Sequence, residues 1–196
     1  MSTLARIGGC LLIAGILIAA SFVVRGILGV LEVMPIMSDG QVNAVALLLV
    51  LGSGAAAIGS SVAGPLAAQA SRIGLGLFAV GSFSLALAID GAQDSVPGSL
   101  GVAEPLLILG IAGVLVPIGL AVIGLSLVRS SGLGRVAGLS ICVGGAVAGV
   151  GLYSSSVLGY DASRAILVLG AALLGVGMVG VGLLAIAGSP GARGDA

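Results

Sequence analysis

Of 196 residues, seven are Arg and seven are Asp or Glu, while 59% of the chain is hydrophobic. A soluble domain carries about 25% charged residues; so few charges cannot clothe an apolar core in water, which excludes an ordinary soluble enzyme and implies an all-α, polytopic bundle in lipid. A net charge of zero gives no electrostatic basis for a nucleic-acid partner, and two cysteines without any histidine exclude a metal cluster or a metal cofactor.

Six segments are long and apolar enough to cross a bilayer, which takes roughly 20 helical residues. They run from Ile7 to Val24, Val42 to Gly64, Ile73 to Ile89, Pro105 to Val128, Val136 to Leu158 and Ala165 to Gly188. None carries a charge at its middle, where insertion would cost about 2.5–3.5 kcal/mol per charge. The first segment is not a cleaved leader on this reading. Its uncharged run exceeds the roughly 7–15 residues of a signal-peptide core, and it shares a pattern with two later segments.

Between the first two segments, Gly26 to Met37 is too oily for a free loop. The sequence favours a first helix that continues, tilted, to about Leu31, with Arg25 snorkelling to the headgroups; the alternative is a short interfacial helix ended by Pro35. Asp90 to Glu104 is a turn-rich surface loop. Its acids Asp90, Asp94 and Glu104 have the character of a weak cation site, but solvated loop carboxylates explain them as well and are preferred. Ser163 is the expected N-cap of the sixth helix. Residues 189–196 are expected to be a flexible tail after a single domain spanning 1–190.

The arginines set the threading. With both chain ends in the cytoplasm, Arg6, Arg72, Arg129, Arg135 and Arg193 fall inside, and six of the seven acids fall outside, as the positive-inside rule requires. An odd number of crossings would break that sorting. All basic residues being Arg and none Lys points to a GC-rich genome, hence to a multi-pass protein of a prokaryotic plasma membrane.

Three segments open alike, at Arg6-Ile7-Gly8, Arg72-Ile73-Gly74 and Arg135-Val136-Ala137, with Gly15, Gly81 and Gly144 following at equal spacing. The even segments share Leu48 to Gly52, Leu106 to Gly110 and Ile166 to Gly170, and seven residues later come Gly59, Pro117 and Gly177. The expectation is three two-helix hairpins, roughly 5–65, 71–128 and 134–188, around a pseudo-threefold axis along the membrane normal. Chance matching in a chain so rich in Leu, Val, Ala and Gly is the rival explanation.

Glycines pack helices in lipid by letting backbones approach. The candidates are Gly15, Gly81, Gly144, Gly170 and Gly177, with Gly145 and Gly149 as a G-x-x-x-G pair that packs the chain itself or docks a second copy. Gly170 with Gly177, and Gly175 with Gly182, lie two turns apart on one face. Cys10 and Cys142 are expected to be buried apolar fillers without a disulfide.

Ser53, Ser82 and Ser84 are the polar side chains near mid-bilayer, and Pro117 leaves the Gly113 carbonyl without its helical donor. These four residues define a candidate solute path or gate. Ion-coupled transport would call for acids, amides or histidines at that depth, and no side chains suited to catalysis are present. The sequence therefore leads first to a non-enzymatic structural or accessory membrane subunit, partnered by lipid and by copies of itself or other subunits. The second reading is a small permease or channel for a neutral or weakly polar solute.

Overall fold

The computed structural model describes residues 2–28, 39–60, 65–93, 103–153 and 159–187, and all of its long elements are helices. They are α1 (Ser2–Leu28), α2 (Asp39–Gly59), α3 (Gln69–Gln93), α4 (Ala103–Val128), α5 (Leu133–Tyr153) and α6 (Tyr160–Ala187), with a short 3-10 turn at Pro65–Ala67 before α3. The six helices fall where the six apolar runs predicted them. Their apolar residues run right round the helix surface instead of forming one stripe, because most of that surface meets no other part of the chain.

The ends differ from the sequence expectation. Helix α1 continues past Val24 to Leu28, as the tilted-helix reading anticipates; the interfacial alternative falls on 29–38, outside the described residues. Helix α2 stops at Gly59 instead of Gly64. There Ser60 turns back on the helix, its N–H and its hydroxyl both donating to the Ala56 carbonyl, at 3.0 and 2.5 Å. Ser163 is not the N-cap of α6, which begins three residues earlier; the entry is made by Gly159 at φ 81°, whose carbonyl accepts from Ser163 N–H at 3.2 Å. Gly132, at φ 58°, plays the same part before α5. Left-handed backbone of this kind suits glycine, which has no Cβ to clash. The expected tail lies outside the described residues.

Each helix packs on its neighbour in the chain, and α6 packs back on α1, so the six close into a ring in sequence order. At five of the six seams a glycine of one helix rests on the backbone of the next: Gly52 on Leu12, Gly119 on Phe78, Gly138 on Val128, Gly144 on Leu174 and Gly9 on Gly182. A Cβ at any of these glycines would stand only 2.5–2.7 Å from a main-chain atom of the facing helix, so the spacing of the ring is set where side chains are missing. The α2–α3 seam is tied by Arg72, whose Nε donates to the Ala57 carbonyl at 3.0 Å. That carbonyl is among the last of α2, which has no helical donor for it.

Among the described residues, the largest buried apolar side chains lie towards one end. Leu12, Ala56, Leu75, Phe78, Ile123, Leu127, Ile141, Met178 and Val181 are buried together. They occupy the first halves of α1, α3 and α5 and the second halves of α2, α4 and α6. Leu66, from the 3-10 turn, is only 2% exposed and joins the same cluster. Arg6, Arg72, Arg129 and Arg135 stand at this end of the bundle.

Among the described residues, four stretches are long and apolar enough to cross a membrane: Thr3–Ser21, Ile111–Val128, Leu133–Gly151 and Ala165–Ala187; Ala44–Gly59 is a shorter apolar helix. The 21 residues of α2 and of α5, at 1.5 Å per residue, amount to about 31 Å, close to the hydrocarbon thickness of a bilayer.

Candidate functional site

The four residues proposed for a solute path do not share one surface. Ser53 on α2 and Ser82 on α3 are buried, Ser84 on α3 is half-buried, and Pro117 on α4 is exposed. The Ser53 hydroxyl donates to its own helix, at 2.5 Å to the Leu49 carbonyl, and that of Ser84 donates to Val80 at 2.9 Å. Serines in apolar helices commonly satisfy themselves in this way, which leaves little for a passing molecule. Ser82 is 4% exposed, and its hydroxyl has no hydrogen-bond partner among the described residues.

The packing glycines separate into two groups. Gly15 meets Leu48 and Leu49 of α2, Gly81 meets Leu115 and Val116 of α4, and Gly144 meets Leu173 and Leu174 of α6. Gly170 and Gly177 both face α5, against Ala148 and Ile141, whereas Gly175 and Gly182 both face α1, against Ile16 and Ile13. Gly145 and Gly149 belong to the other group. No neighbouring atom of the described residues comes within 4 Å of where a Cβ would stand on either, so among these residues the G-x-x-x-G pair does not take the expected role of packing the chain's own helices.

The contacts also shift the register that the sequence alignment of the hairpins suggests. Gly8 meets Gly52, but its counterpart Gly74 meets Gly119, nine residues beyond the Gly110 that the alignment pairs with Gly52. In the third hairpin Gly144 meets the carbonyl of Gly170, whereas its counterpart Gly15 sits on Leu48 and Leu49. The helices slide until small residues meet, and the shared Leu-Leu-x-Leu-Gly run does not decide where that happens.

One polar pair escapes a reading of composition alone. The hydroxyls of Ser71 on α3 and Ser126 on α4 lie 2.7 Å apart, and Ser126 lies 2.8 Å from the Ile123 carbonyl. Their 55-residue separation left no local signal. Of the arginines taken to set topology, Arg72 has a structural task as well, and Arg129 and Arg135 are exposed on either side of the α4–α5 turn; Arg193 lies outside the described residues. Cys10 is exposed and Cys142 half-buried, and both are free thiols; Cys10 is thus not the buried filler the sequence suggested. No group of three or more Cys, Asp or Glu side chains gathers as metal ligands among the described residues. The acids Asp90, Asp94 and Glu104 have side chains outside that set.

Comparison with protein families, with curated proteins and with solved structures finds no match.

Proposed function

We propose that this protein is a non-enzymatic integral membrane subunit that packs through its helices with copies of itself or with other membrane proteins. On this reading six helices cross a prokaryotic plasma membrane with both ends in the cytoplasm, as three hairpins about an axis along the membrane normal. The observation that carries it is the outward face of the ring. Large apolar side chains stand more than a third exposed on all six helices, among them Leu17, Leu51, Phe83, Leu125, Val143 and Val176. In water such a surface would aggregate; in lipid it is the required surface, and helices gain association from close packing and hydrogen bonds. The hydroxyls of Ser53 and Ser84 are spent within their own helices, which favours a packing role over solute handling. The end that carries Arg6, Arg72, Arg129 and Arg135 is then the cytoplasmic end.

A small permease for a neutral or weakly polar solute is the second reading, and Ser82 is what favours it. Its buried hydroxyl, which has no partner among the described residues, is a group that a solute or a water would satisfy.

Labelling tests the threading in cells, in a Cys10→Ala, Cys142→Ala background. Asp94→Cys should react with an impermeant maleimide added outside and Ser131→Cys should not; equal reactivity would discard the six-crossing reading. Purification in mild detergent then separates the two functions. A larger complex of fixed stoichiometry is the outcome expected of a subunit, and a monomer that exchanges a small solute across vesicles is the outcome expected of a permease.

A further inference from the structure

Two of the four arginines at one end of the bundle are engaged within the protein. Arg72 donates to the Ala57 carbonyl, and half-buried Arg6 has a contact of its own. Arg129 and Arg135 differ: both are exposed, and neither has a partner among the described residues. They stand on one short connection. Arg129 follows directly on α4, Arg135 is the third residue of α5, and Gly132, at φ 58°, turns the chain between them. Gly138 rests on the Val128 backbone, so the two helices touch within a turn of both arginines. No acid stands near them in the sequence: from Pro105 to Tyr160 there is neither Asp nor Glu. Asp39, Asp90, Glu104 and Asp161 fall in the terminal turns of their helices at the opposite end, and Asp195 lies outside the described residues. What accompanies the two guanidiniums is apolar. One turn along α4 from Arg129 is Leu125, 65% exposed, with exposed Ile118 two turns beyond it on the same face; one turn along α5 from Arg135 is exposed Leu139, followed by Val143.

We propose that the α4–α5 turn binds an anionic phospholipid, with Arg129 and Arg135 on its phosphodiester headgroup and its acyl chains along the faces that carry Leu125 and Leu139. A guanidinium presents paired N–H donors that match phosphate oxygens, and basic groups at the cytoplasmic ends of membrane helices attract anionic headgroups. The exposed apolar faces decide the source of the phosphate: a free phosphate would use the two arginines and leave the rest of the surface idle, whereas a lipid uses both. A zwitterionic lipid offers the same phosphate, but its ammonium opposes the guanidiniums, so the surface selects net negative charge. The inference rests on the membrane reading above, which sets the arginine end at headgroup level.

The chain contains no Trp, so Leu125→Trp and Val114→Trp each set a single fluorescent reporter on an exposed position of α4, one beside Arg129 and the other about four turns from it. Each variant is reconstituted in phosphatidylcholine vesicles with a minor fraction of brominated phosphatidylglycerol or of brominated phosphatidylcholine, and quenching is read. The expected result is an enrichment of phosphatidylglycerol of about fivefold at position 125, the scale of one basic residue near an anionic surface, and none at 114. Arg129→Gln with Arg135→Gln should remove the enrichment. Arg25→Gln with Arg164→Gln, an equal loss of charge at the opposite end, should leave it; loss with either pair would make it an effect of net charge and overturn the site. Sodium phosphate and sodium chloride at equal ionic strength should weaken it alike; loss in phosphate alone would give the turn to free phosphate and overturn the lipid assignment. The contrast of 125 with 114 needs no arginine variant, so it decides even where the double variant does not fold. Equal quenching by both lipids at both positions overturns the site and leaves the membrane reading standing. No quenching by either lipid at either position strikes the membrane reading itself, and the inference with it.

Discussion

The hydroxyl of Ser71 lies 2.7 Å from that of Ser126, joining α3 to α4 at the end of the bundle that carries the arginines. Ser71 is fully buried there, so the pair links two helices where water is scarce. Hydrogen bonds between membrane helices average about 0.6 kcal/mol in double-mutant cycles. A cycle of Ser71→Ala, Ser126→Ala and the double variant should give a coupling of roughly that size, read from unfolding midpoints in a denaturing-detergent titration. Additive effects would show that the pair is only a near approach.

Two glycines separated by one residue should respond oppositely. At Gly52 an added methyl meets the Leu12 backbone at 2.5 Å, whereas at Gly54 there is open space. Backbone cannot rearrange as a side-chain tip can, so Gly52→Ala should destabilise by about 1–3 kcal/mol. Gly54→Ala should be neutral or stabilise by up to about 1 kcal/mol, the difference in helix propensity. Thermal unfolding of both variants in detergent tests the pair, and equal losses would refute the close α1–α2 approach.

This contrast also shows how much was legible beforehand. The six helices could be read because runs of apolar residues without a central charge are uncommon and long. The packing could not. Gly145 and Gly149 make the conventional G-x-x-x-G motif and turn their Cβ positions to open space, while Gly8 meets Gly52 and Gly9 meets Gly182. Small residues occur on every face of these helices, so spacing marks stripes without saying which of them another helix covers. Pro117 is an equal case: the sequence placed it in mid-helix, correctly, but whether it was buried or exposed depended on a helix rotation that apolarity all round does not fix.

Leu66 should be costly to truncate although it lies in a connection. It sits in the 3-10 turn that packs on α3 and α6, and it is 2% exposed. Leu66→Ala should lose about 2–5 kcal/mol as a buried large-to-small change. Leu51→Ala, at a position 51% exposed on the outer face of α2, should lose much less. Parallel unfolding titrations decide this, and a tolerant Leu66 would mean the turn is not part of the core.

Arg72 should matter for stability as well as for threading. Its Nε donates to the Ala57 carbonyl near the end of α2, where the helix dipole also favours a cation. Because the side chain is exposed, Arg72→Met should cost about 0.5–1 kcal/mol, the range for such partly solvated contacts. The loss should shrink when Ala57 is already freed by unfolding of α2, which hydrogen exchange of the α2 amides would show. An unchanged exchange pattern would leave Arg72 with a topological role alone.

Because Gly9 of α1 rests against Gly182 of α6, the ring has no architectural beginning. A polypeptide spliced from the end of α6 to the start of α1, and reopened between α2 and α3, would give every helix the same two neighbours. Which hairpin leaves the ribosome first is therefore a matter of synthesis, and the assembled circle is indifferent to it.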